Sequence, residues 1–316
     1  MNGVAELERR PLRKSAVSVS VYRIQHDGVS GVAPSEGHRP VGHPMILGKG
    51  TATVIGEEPL EIRVVDGKGD SRQIAITMRT PGNDFELAVG FLVAEGIISD
   101  PSVVRSVAYC TKPIGVEQEY NIVTVALSIA VADDAVRRTQ TMSSSCGICG
   151  TTTLDAIELA LPSRLTKSTH SGLGESSAEK SPTMSVAKFV ALPDRLRSAQ
   201  VLFDRTGGVH AAGLYRFDGT QLVVREDVGR HNAVDKCIGW ATLAKYSNLS
   251  ETALFVSGRI SFEIVQKAAM SGIELLGGVS APTSLAIDAA DRFGMTLAGF
   301  VRDGQATVYS HPDRLQ

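Results

Sequence analysis

The stretch ALFVSGRISFEIVQKAAMSGIELLGGVSAPTSLAIDAADRFGMTLAGFV, residues 253–301, alternates short apolar runs with longer amphipathic segments. This alternation predicts three strands with two helices between them: Ala253–Val256, Ser261–Met270, Ile273–Leu276, Ser284–Phe293 and Thr296–Val301. Strands that alternate with helices form a sheet with helices on both faces. The C-terminal part of the chain is therefore predicted to be a three-layer α/β/α domain.

The sequence on either side of this stretch extends the same pattern. We predict helices around Pro193–Asp204 and Asn232–Tyr246, a hairpin turn at Asp218-Gly219 and a last strand at Ala306–Tyr309. Further upstream, apolar or alternating runs between turn residues predict four strands: Thr51–Ile55, Leu60–Val65, Gln73–Met78 and Asn121–Ser128. A helix is expected to begin near Asn83 or Asp84, with Gly96 at its C-terminal cap.

Composition divides the chain into four parts. Residues 1–45 are predicted to be a flexible extension with a short strand at Ser18–Ile24, and residues 46–140 a smaller β-rich domain with one helix. Residues 141–184 hold a cysteine-containing loop, a short helix near Leu154–Leu161 and a flexible insertion rich in Ser, Gly and Lys. Residues 185–316 form the α/β domain.

Overall composition favours a soluble globular protein. The chain has 316 residues, of which 43% are hydrophobic and 21% charged, and a formal net charge of −2. This charge gives no electrostatic reason to expect binding to nucleic acid or to an anionic membrane surface. No stretch approaches the roughly 20 apolar residues of a membrane helix, and no apolar signal core follows the first basic residues. We expect a cytoplasmic protein.

Two of the four cysteines, Cys146 and Cys149, lie in a run of small and polar residues, SSSCGICGTTT (143–153). A buried structural cysteine usually lies among larger apolar side chains. This pair is therefore predicted to lie in an exposed loop and to carry out sulfur chemistry. Cys110 and Cys237 have apolar or helical surroundings and are predicted to be packing residues.

Three chemistries use the C-x-x-C spacing. A structural zinc site needs four ligands, and this chain has one such pair. A thioredoxin-like dithiol would follow the first strand of a small βαβ unit, which is not the setting here. A persulfide carrier needs an accessible sulfur with thiolate character, which the N-terminus of a following helix would promote. The residues alone leave all three open.

Three loops in the C-terminal half lead from a strand into a helix: Asp227–Ala233, Val256–Ser261 and Val279–Ser284. Helix N-termini favour anions, and ligands of α/β sheets bind beyond the carboxyl ends of strands. The loops therefore predict a cleft for a phosphorylated, nucleotide-like ligand, although the chain has no Walker loop and no GxGxxG motif. The candidate binding residues are His210, Arg230, His231, Ser257, Gly258 and Arg259. For the two histidines, core packing or capping is an equally good interpretation.

Several motifs occur together in the order found in one family: SCGICG (145–150), RTGGVHAA (205–212), EDVGRHNAVDK (226–236), VSGRISFEIVQKAAMSGIE (256–274), VSAPTSLAID (279–288) and GFVRDGQATVYSHPDRL (299–315). With these motifs, the chain from about Leu47 onward resembles the formate dehydrogenase accessory sulfurtransferases, also called sulfur carrier proteins.

The resemblance implies a function and site residues. Members take sulfur from a cysteine desulfurase and pass it to the bis-molybdopterin guanine dinucleotide form of the molybdenum cofactor, before that cofactor enters formate dehydrogenase. The persulfide cysteine corresponds to Cys146, with Cys149 assisting. The cofactor-binding stretch corresponds to Phe300, Val301, Arg302, Asp303, Gly304 and Gln305. The resemblance also implies a homodimer.

The resemblance further implies a C-terminal domain similar to the cytidine deaminase fold. The zinc pattern of those deaminases, H-x-E…P-C-x-x-C, is missing, because Ala212 stands where the glutamate would follow His210. We therefore expect no permanent metal. Two alternatives remain: a zinc-dependent deaminase that uses His210 with Cys146 and Cys149, and a non-catalytic chaperone of the molybdenum cofactor.

Overall fold

The structure is a computed structural model, and it describes residues 15–26, 44–110, 119–131, 157–158, 161, 182–246 and 248–316. The first two strands, β1 (Ala16–His26) and β2 (Pro44–Ile55), form an antiparallel ribbon. The strands predicted at Ser18–Ile24 and Thr51–Ile55 are thus confirmed, and both are longer than predicted. Most of the short helix predicted near residues 154–161 lies outside the described residues.

A four-stranded sheet follows the ribbon. It contains β3 (Glu58–Val65), β4 (Ser71–Arg79), β5 (Val104–Tyr109) and β6 (Ile122–Leu127), in the order β4-β3-β6-β5. Strands β3 and β6 are parallel, and the other two pairs are antiparallel. The three strands predicted in this part of the chain are confirmed, whereas β5 was not predicted.

Helix α1 (Asp84–Ala94) lies between β4 and β5 in the chain. It begins at the predicted position and is followed by Gly96 in the left-handed conformation (φ 68°), as the sequence predicted. A buried ion pair fixes its start, because Arg79 Nη2 lies 2.8 Å from Asp84 Oδ2 and both side chains are at most 2% exposed. Ten of its eleven residues are buried, so α1 belongs to the core.

The C-terminal part contains a six-stranded sheet in the order β12-β11-β10-β9-β7-β8. Its strands are β7 (His210–Arg216), β8 (Gln221–Asp227), β9 (Thr252–Val256), β10 (Leu275–Gly278), β11 (Thr296–Arg302) and β12 (Gln305–Ser310). The central strands β9, β10 and β11 are parallel, and the remaining pairs are antiparallel. The predicted strands and the turn at Asp218-Gly219 are confirmed, except that the strand predicted at Ile273–Leu276 lies two residues later, at Leu275–Gly278.

Helices cover both faces of this sheet, as predicted. Helices α5 (Arg230–Leu243), α6 (Phe262–Met270) and α7 (Ser284–Arg292) pack with α1 on one face, and α2 (Val186–Val190) and α3 (Leu192–Ser198) pack on the other. The α/β fold class is therefore confirmed. The prediction of a single helix at Pro193–Asp204 is wrong, because α3 ends at Ser198 and a separate helix, α4 (Val201–Thr206), begins after Ala199-Gln200.

Two glycines allow α1 and α5 to cross in backbone contact. A Cβ atom built on Gly90 would lie 1.8 Å from the Asp235 carbonyl oxygen, and one built on Gly239 would lie 1.7 Å from that of Glu86. No side chain larger than hydrogen fits at either position. The buried apolar residues of the four-stranded sheet, of the crossing helices and of one face of the six-stranded sheet therefore form one continuous hydrophobic core.

Candidate functional site

One edge of the six-stranded sheet collects the site residues that the sequence predicted in the C-terminal half. The carboxyl ends of the parallel strands β9, β10 and β11 lie there. The start of β7 lies at the same edge, because β7 runs antiparallel to β9 and pairs Ala212 with Val256. The end of β8 joins them through the pairing of His210 with Asp227. We call this region the carboxyl edge.

At the carboxyl edge, Gly258 lies against His210 and Arg230. A Cβ atom built on Gly258 would lie 3.3 Å from His210 Nδ1 and 3.7 Å from Arg230 Cδ. Ser257 is fixed to β7, because its Oγ accepts a hydrogen bond from the Ala211 N–H at 2.8 Å and its own N–H donates to the Ala211 carbonyl at 2.9 Å. The structure therefore brings His210, Arg230 and the 257–258 turn together.

Two arginines make this edge cationic. Arg230 is the first residue of α5, whose N-cap, Gly229, makes no side-chain capping bond. The Arg230 Nε atom is buried and has no hydrogen-bond partner among the described residues. Arg259 is exposed at the turn after β9. The N-terminus of α5 with the Arg230 guanidinium favours a phosphate or another anion, and Arg259 adds an exposed cation on the neighbouring turn.

The two histidines of the edge are neutral at pH 7. Burial, reinforced by the Arg230 guanidinium, lowers the pKa of His210 below its usual value. Burial and then the cations of Lys267 and Arg230 lower the pKa of His231 to about 4. His231 Nε2 lies 3.3 Å from the Ser261 hydroxyl. A neutral imidazole has one hydrogen-bond donor and one acceptor. Because both histidines are neutral, the positive charge of the carboxyl edge comes from the arginines.

The 300–305 stretch forms the hairpin between β11 and β12. Asp303 and Gly304 make a two-residue turn with φ angles of 52° and 73°. Phe300 is joined to the neighbouring loop, because its N–H donates to the Ser280 carbonyl at 3.2 Å, and its ring is 39% exposed. The Arg302 guanidinium lies 5.8 Å from the centre of that ring. Val301 is fully buried, so its side chain supports the hairpin from the core.

Asp227, which sequence reasoning missed, organises the loop before α5. Its buried carboxylate accepts hydrogen bonds from the Thr80 and Gly229 N–H groups at 3.1 and 2.8 Å and from Asn232 Nδ2 at 3.0 Å. Lys236 Nζ lies 2.7 Å from the same carboxylate. These bonds attach the first turn of α5, which carries Arg230, to the segment after β4. Thr80 is 147 residues from Asp227 and 156 from Lys236, so no local signal predicts its part in this network.

The predicted persulfide cysteines, Cys146 and Cys149, lie outside the described residues. Cys237 is buried, as predicted, and burial raises the pKa of its thiol to about 12. The prediction that Cys110 is a packing residue is wrong, because Cys110 is exposed where β5 ends.

Within the ranges that the structure describes, no three His, Cys, Asp or Glu side chains are grouped so that they could hold a metal ion. No helix in those ranges has the length and apolar character of a membrane span.

The fold and the carboxyl edge define an α/β protein with arginines at the carboxyl ends of its central strands. The chain belongs to the FdhD/NarQ family, whose model matches residues 55–316. Over 269 residues it is 46% identical to the sulfur carrier protein FdhD of Mycolicibacterium paratuberculosis, covering 83% of this chain and 92% of that protein. Over 267 residues it is 44% identical to the sulfur carrier protein FdhD of Streptomyces coelicolor, covering 83% and 89%.

A solved structure supports the fold. The crystal structure of a protein from Desulfotalea psychrophila, described as a formate dehydrogenase accessory protein, superimposes with a TM-score of 0.62. The match covers 97% of this chain and all of the other, at 22% sequence identity. At this identity the likeness establishes a common fold.

Proposed function

We propose that this protein is a sulfur carrier that acts in the maturation of formate dehydrogenase. Its relatives at 46% and 44% identity carry the name sulfur carrier protein. The observation that supports a nucleotide-type acceptor is the carboxyl edge, where Arg230 at the N-terminus of α5 lies against Gly258 and the next residue, Arg259, is exposed. Neither a zinc-dependent deaminase nor a non-catalytic chaperone is favoured by the names of these relatives.

In this proposal Cys146 carries the sulfur. Its thiolate attacks the terminal sulfur of a persulfide on a cysteine desulfurase. The sulfur–sulfur bond of the donor breaks, a new one forms on Cys146, and the donor cysteine leaves as a thiolate, so no external oxidant or reductant is needed. Cys149 assists from the same C-x-x-C motif.

The acceptor in this proposal is the bis-molybdopterin guanine dinucleotide form of the molybdenum cofactor, bound as cargo. Its phosphates would interact with the cations of Arg230 and Arg259. Binding at the 300–305 hairpin would place the cofactor beside the exposed ring of Phe300. The proposal also includes formate dehydrogenase as the destination, a homodimer as the working form and the cytoplasm as the location.

Sulfur loading by a cysteine desulfurase tests this function. The intact protein, a Cys146→Ala variant and a Cys110→Ala control are incubated with the desulfurase and cysteine, and their masses are measured. We expect the intact protein and the control to gain one sulfur atom and Cys146→Ala to gain none. Equal loading of all three proteins would contradict the role of Cys146, and loading of none would contradict sulfur transfer itself.

A further inference from the structure

A cavity of about 340 Å³ opens at the end of the six-stranded sheet that lies opposite the carboxyl edge. Strand β9 begins at this cavity and ends at the carboxyl edge, and β7, which is antiparallel to β9, ends at the cavity. The two ends of β9 are about 13 Å apart, so the cavity is separate from the site described above. We call it the amino-edge cavity. It has the size of a small-ligand site, and its lining residues are Arg216, Lys245, Tyr246, Asn248, Glu251 and Thr252.

Arg216, the last residue of β7, brings a guanidinium group to this cavity. Its Nη1 donates a hydrogen bond to the Tyr246 hydroxyl at 3.2 Å, and its Nε lies 4.0 Å from Asp218 Oδ2. These contacts orient the group and use at most two of its five N–H donors. An oriented guanidinium with donors to spare binds a carboxylate through two parallel hydrogen bonds.

Tyr246 adds a neutral donor beside this guanidinium. Its ring packs against Trp240, with the ring centres 6.0 Å apart, and its N–H donates to the Ala241 carbonyl at 2.9 Å. Because the hydroxyl oxygen accepts the hydrogen bond from Arg216, the hydroxyl proton remains for an acceptor in the cavity. Arg216 and Tyr246 therefore form a pair of donors suited to one carboxylate group.

Lys245 occupies a backbone position that glycine usually fills. Its φ angle is 57°, and its N–H donates to the Thr242 carbonyl at 3.0 Å where α5 ends. A residue with a Cβ atom is strained in this left-handed conformation, and glycine is the usual residue of this helix-ending motif. The choice of lysine indicates that its side chain contributes something that offsets the strain. Its ammonium makes no ion pair with any described residue, so it is a second cation at the cavity.

Glu251 brings a negative charge to the same cavity. It comes directly before β9, and its carbonyl accepts a hydrogen bond from the Phe217 N–H at 3.1 Å, which holds it beside the end of β7. The C-terminus of α5, which carries a partial negative charge, ends just before Lys245. The cavity therefore combines two cations and a hydroxyl donor with a separate negative group. This combination is complementary to a small molecule that carries both a carboxylate and an ammonium group.

We propose that the amino-edge cavity binds a free α-amino acid. Arg216 and the Tyr246 hydroxyl hold its carboxylate, Glu251 holds its ammonium group, and Lys245 adds attraction for the carboxylate. A simple anion would leave the Glu251 carboxylate without a partner, and a simple cation would meet Arg216 and Lys245, so neither suits the whole lining. The inference goes beyond the proposed function, because none of these residues belongs to the carboxyl edge or to the C-x-x-C motif.

Calorimetry on the intact protein with each of the standard L-amino acids tests the ligand class. We expect at least one of them to bind with a Kd below about 1 mM. The C-terminal amide of that amino acid lacks the carboxylate, and its N-acetyl derivative lacks the ammonium group. Each derivative should bind at least about tenfold more weakly than the amino acid itself. No binding of any amino acid, or equally tight binding of either derivative, would overturn the proposal.

Variants at exposed positions locate the site. Arg216→Gln should weaken binding of the amino acid by about tenfold and Glu251→Gln by about fivefold, because each removes one charged partner. Arg105→Gln, the same change at an exposed arginine of β5, should bind within about twofold of the intact protein. An unchanged affinity in Arg216→Gln or in Glu251→Gln would overturn the proposal.

Lys245→Gly separates the contribution of the side chain from that of the backbone. Glycine relieves the left-handed strain, so this variant should unfold at a higher temperature than the intact protein. Loss of the ammonium group should nevertheless weaken binding of the amino acid by about threefold. An unchanged affinity in this variant would overturn the proposal, because the strain would then have no counterpart in binding.

Discussion

Removal of the Lys236 ammonium group is expected to destabilise the fold strongly. Lys236 Nζ lies 2.7 Å from Asp227 Oδ2, with the two side chains 1% and 0% exposed, and it also donates to the Thr80 carbonyl at 3.0 Å. Loss of one partner of a buried ion pair costs about 3–5 kcal/mol, because the remaining charge stays buried. In Lys236→Met the Asp227 carboxylate keeps its three other donors. We therefore expect Lys236→Met to lower the free energy of unfolding by about 3 kcal/mol, the lower end of that range.

Urea unfolding at pH 7 measures this cost. A chain of this size unfolds in urea with a slope of about 3 kcal/mol per M, so the midpoint should fall by about 1 M. Lys188→Met, the same change at an exposed lysine, should alter the stability by less than about 0.5 kcal/mol. The double variant Asp227→Asn/Lys236→Met should recover part of the loss. A cost below about 1 kcal/mol for Lys236→Met would refute the assignment of a buried, charged pair.

Three further predictions concern the helix crossing and the carboxyl edge. Gly239→Ala should cost about 3 kcal/mol, because its new methyl group meets the Glu86 carbonyl oxygen, and stability within about 0.5 kcal/mol of the intact protein in urea would contradict the close crossing. Arg259→Ala should weaken binding of GDP by loss of an exposed cation, and unchanged calorimetric affinity would place the phosphates elsewhere. In an NMR titration the His231 ring of the folded protein should stay neutral until about pH 4. The pKa of this histidine in the unfolded chain is near 6.5, so the unfolded state binds the proton first as acid is added. The free energy of unfolding should therefore fall as the pH decreases from about 6.5 to about 4. A His231 midpoint near pH 6.5 would show that partial burial and the nearby cations do not lower the pKa of that ring.

The C-terminal fold could be predicted because its signals are local. The central strands between Ala253 and Val301 contain short apolar runs, and the helices between them have hydroxyl N-cap residues, Ser261 and Thr283. The same signals placed Arg230 and the 257–259 turn after the carboxyl ends of strands, which meet at one edge of a parallel sheet. His210 lies at this edge because β7 begins there and runs antiparallel to β9. Strand β5 has no such signal, because only three of its six residues are even half-buried.

The features that the sequence did not reveal depend on partners far away in the chain. Gly239 looks like an ordinary helix residue until Glu86 lies against it. Gln200 looks like part of one continuous helix until Glu226 caps α4 from a neighbouring strand. Asp227 ends β8, and beside its near neighbours Gly229, Asn232 and Lys236 its carboxylate also binds the Thr80 N–H from the segment after β4. Such contacts are set by tertiary packing, which no local pattern encodes.

Mass spectrometry of the Cys146 peptide after incubation with a cysteine desulfurase and cysteine tests the central claim most directly. The account predicts the added mass of one sulfur atom on Cys146, removable by a thiol reductant. A Cys146 peptide of unchanged mass, beside a desulfurase shown to carry its own persulfide, would contradict it.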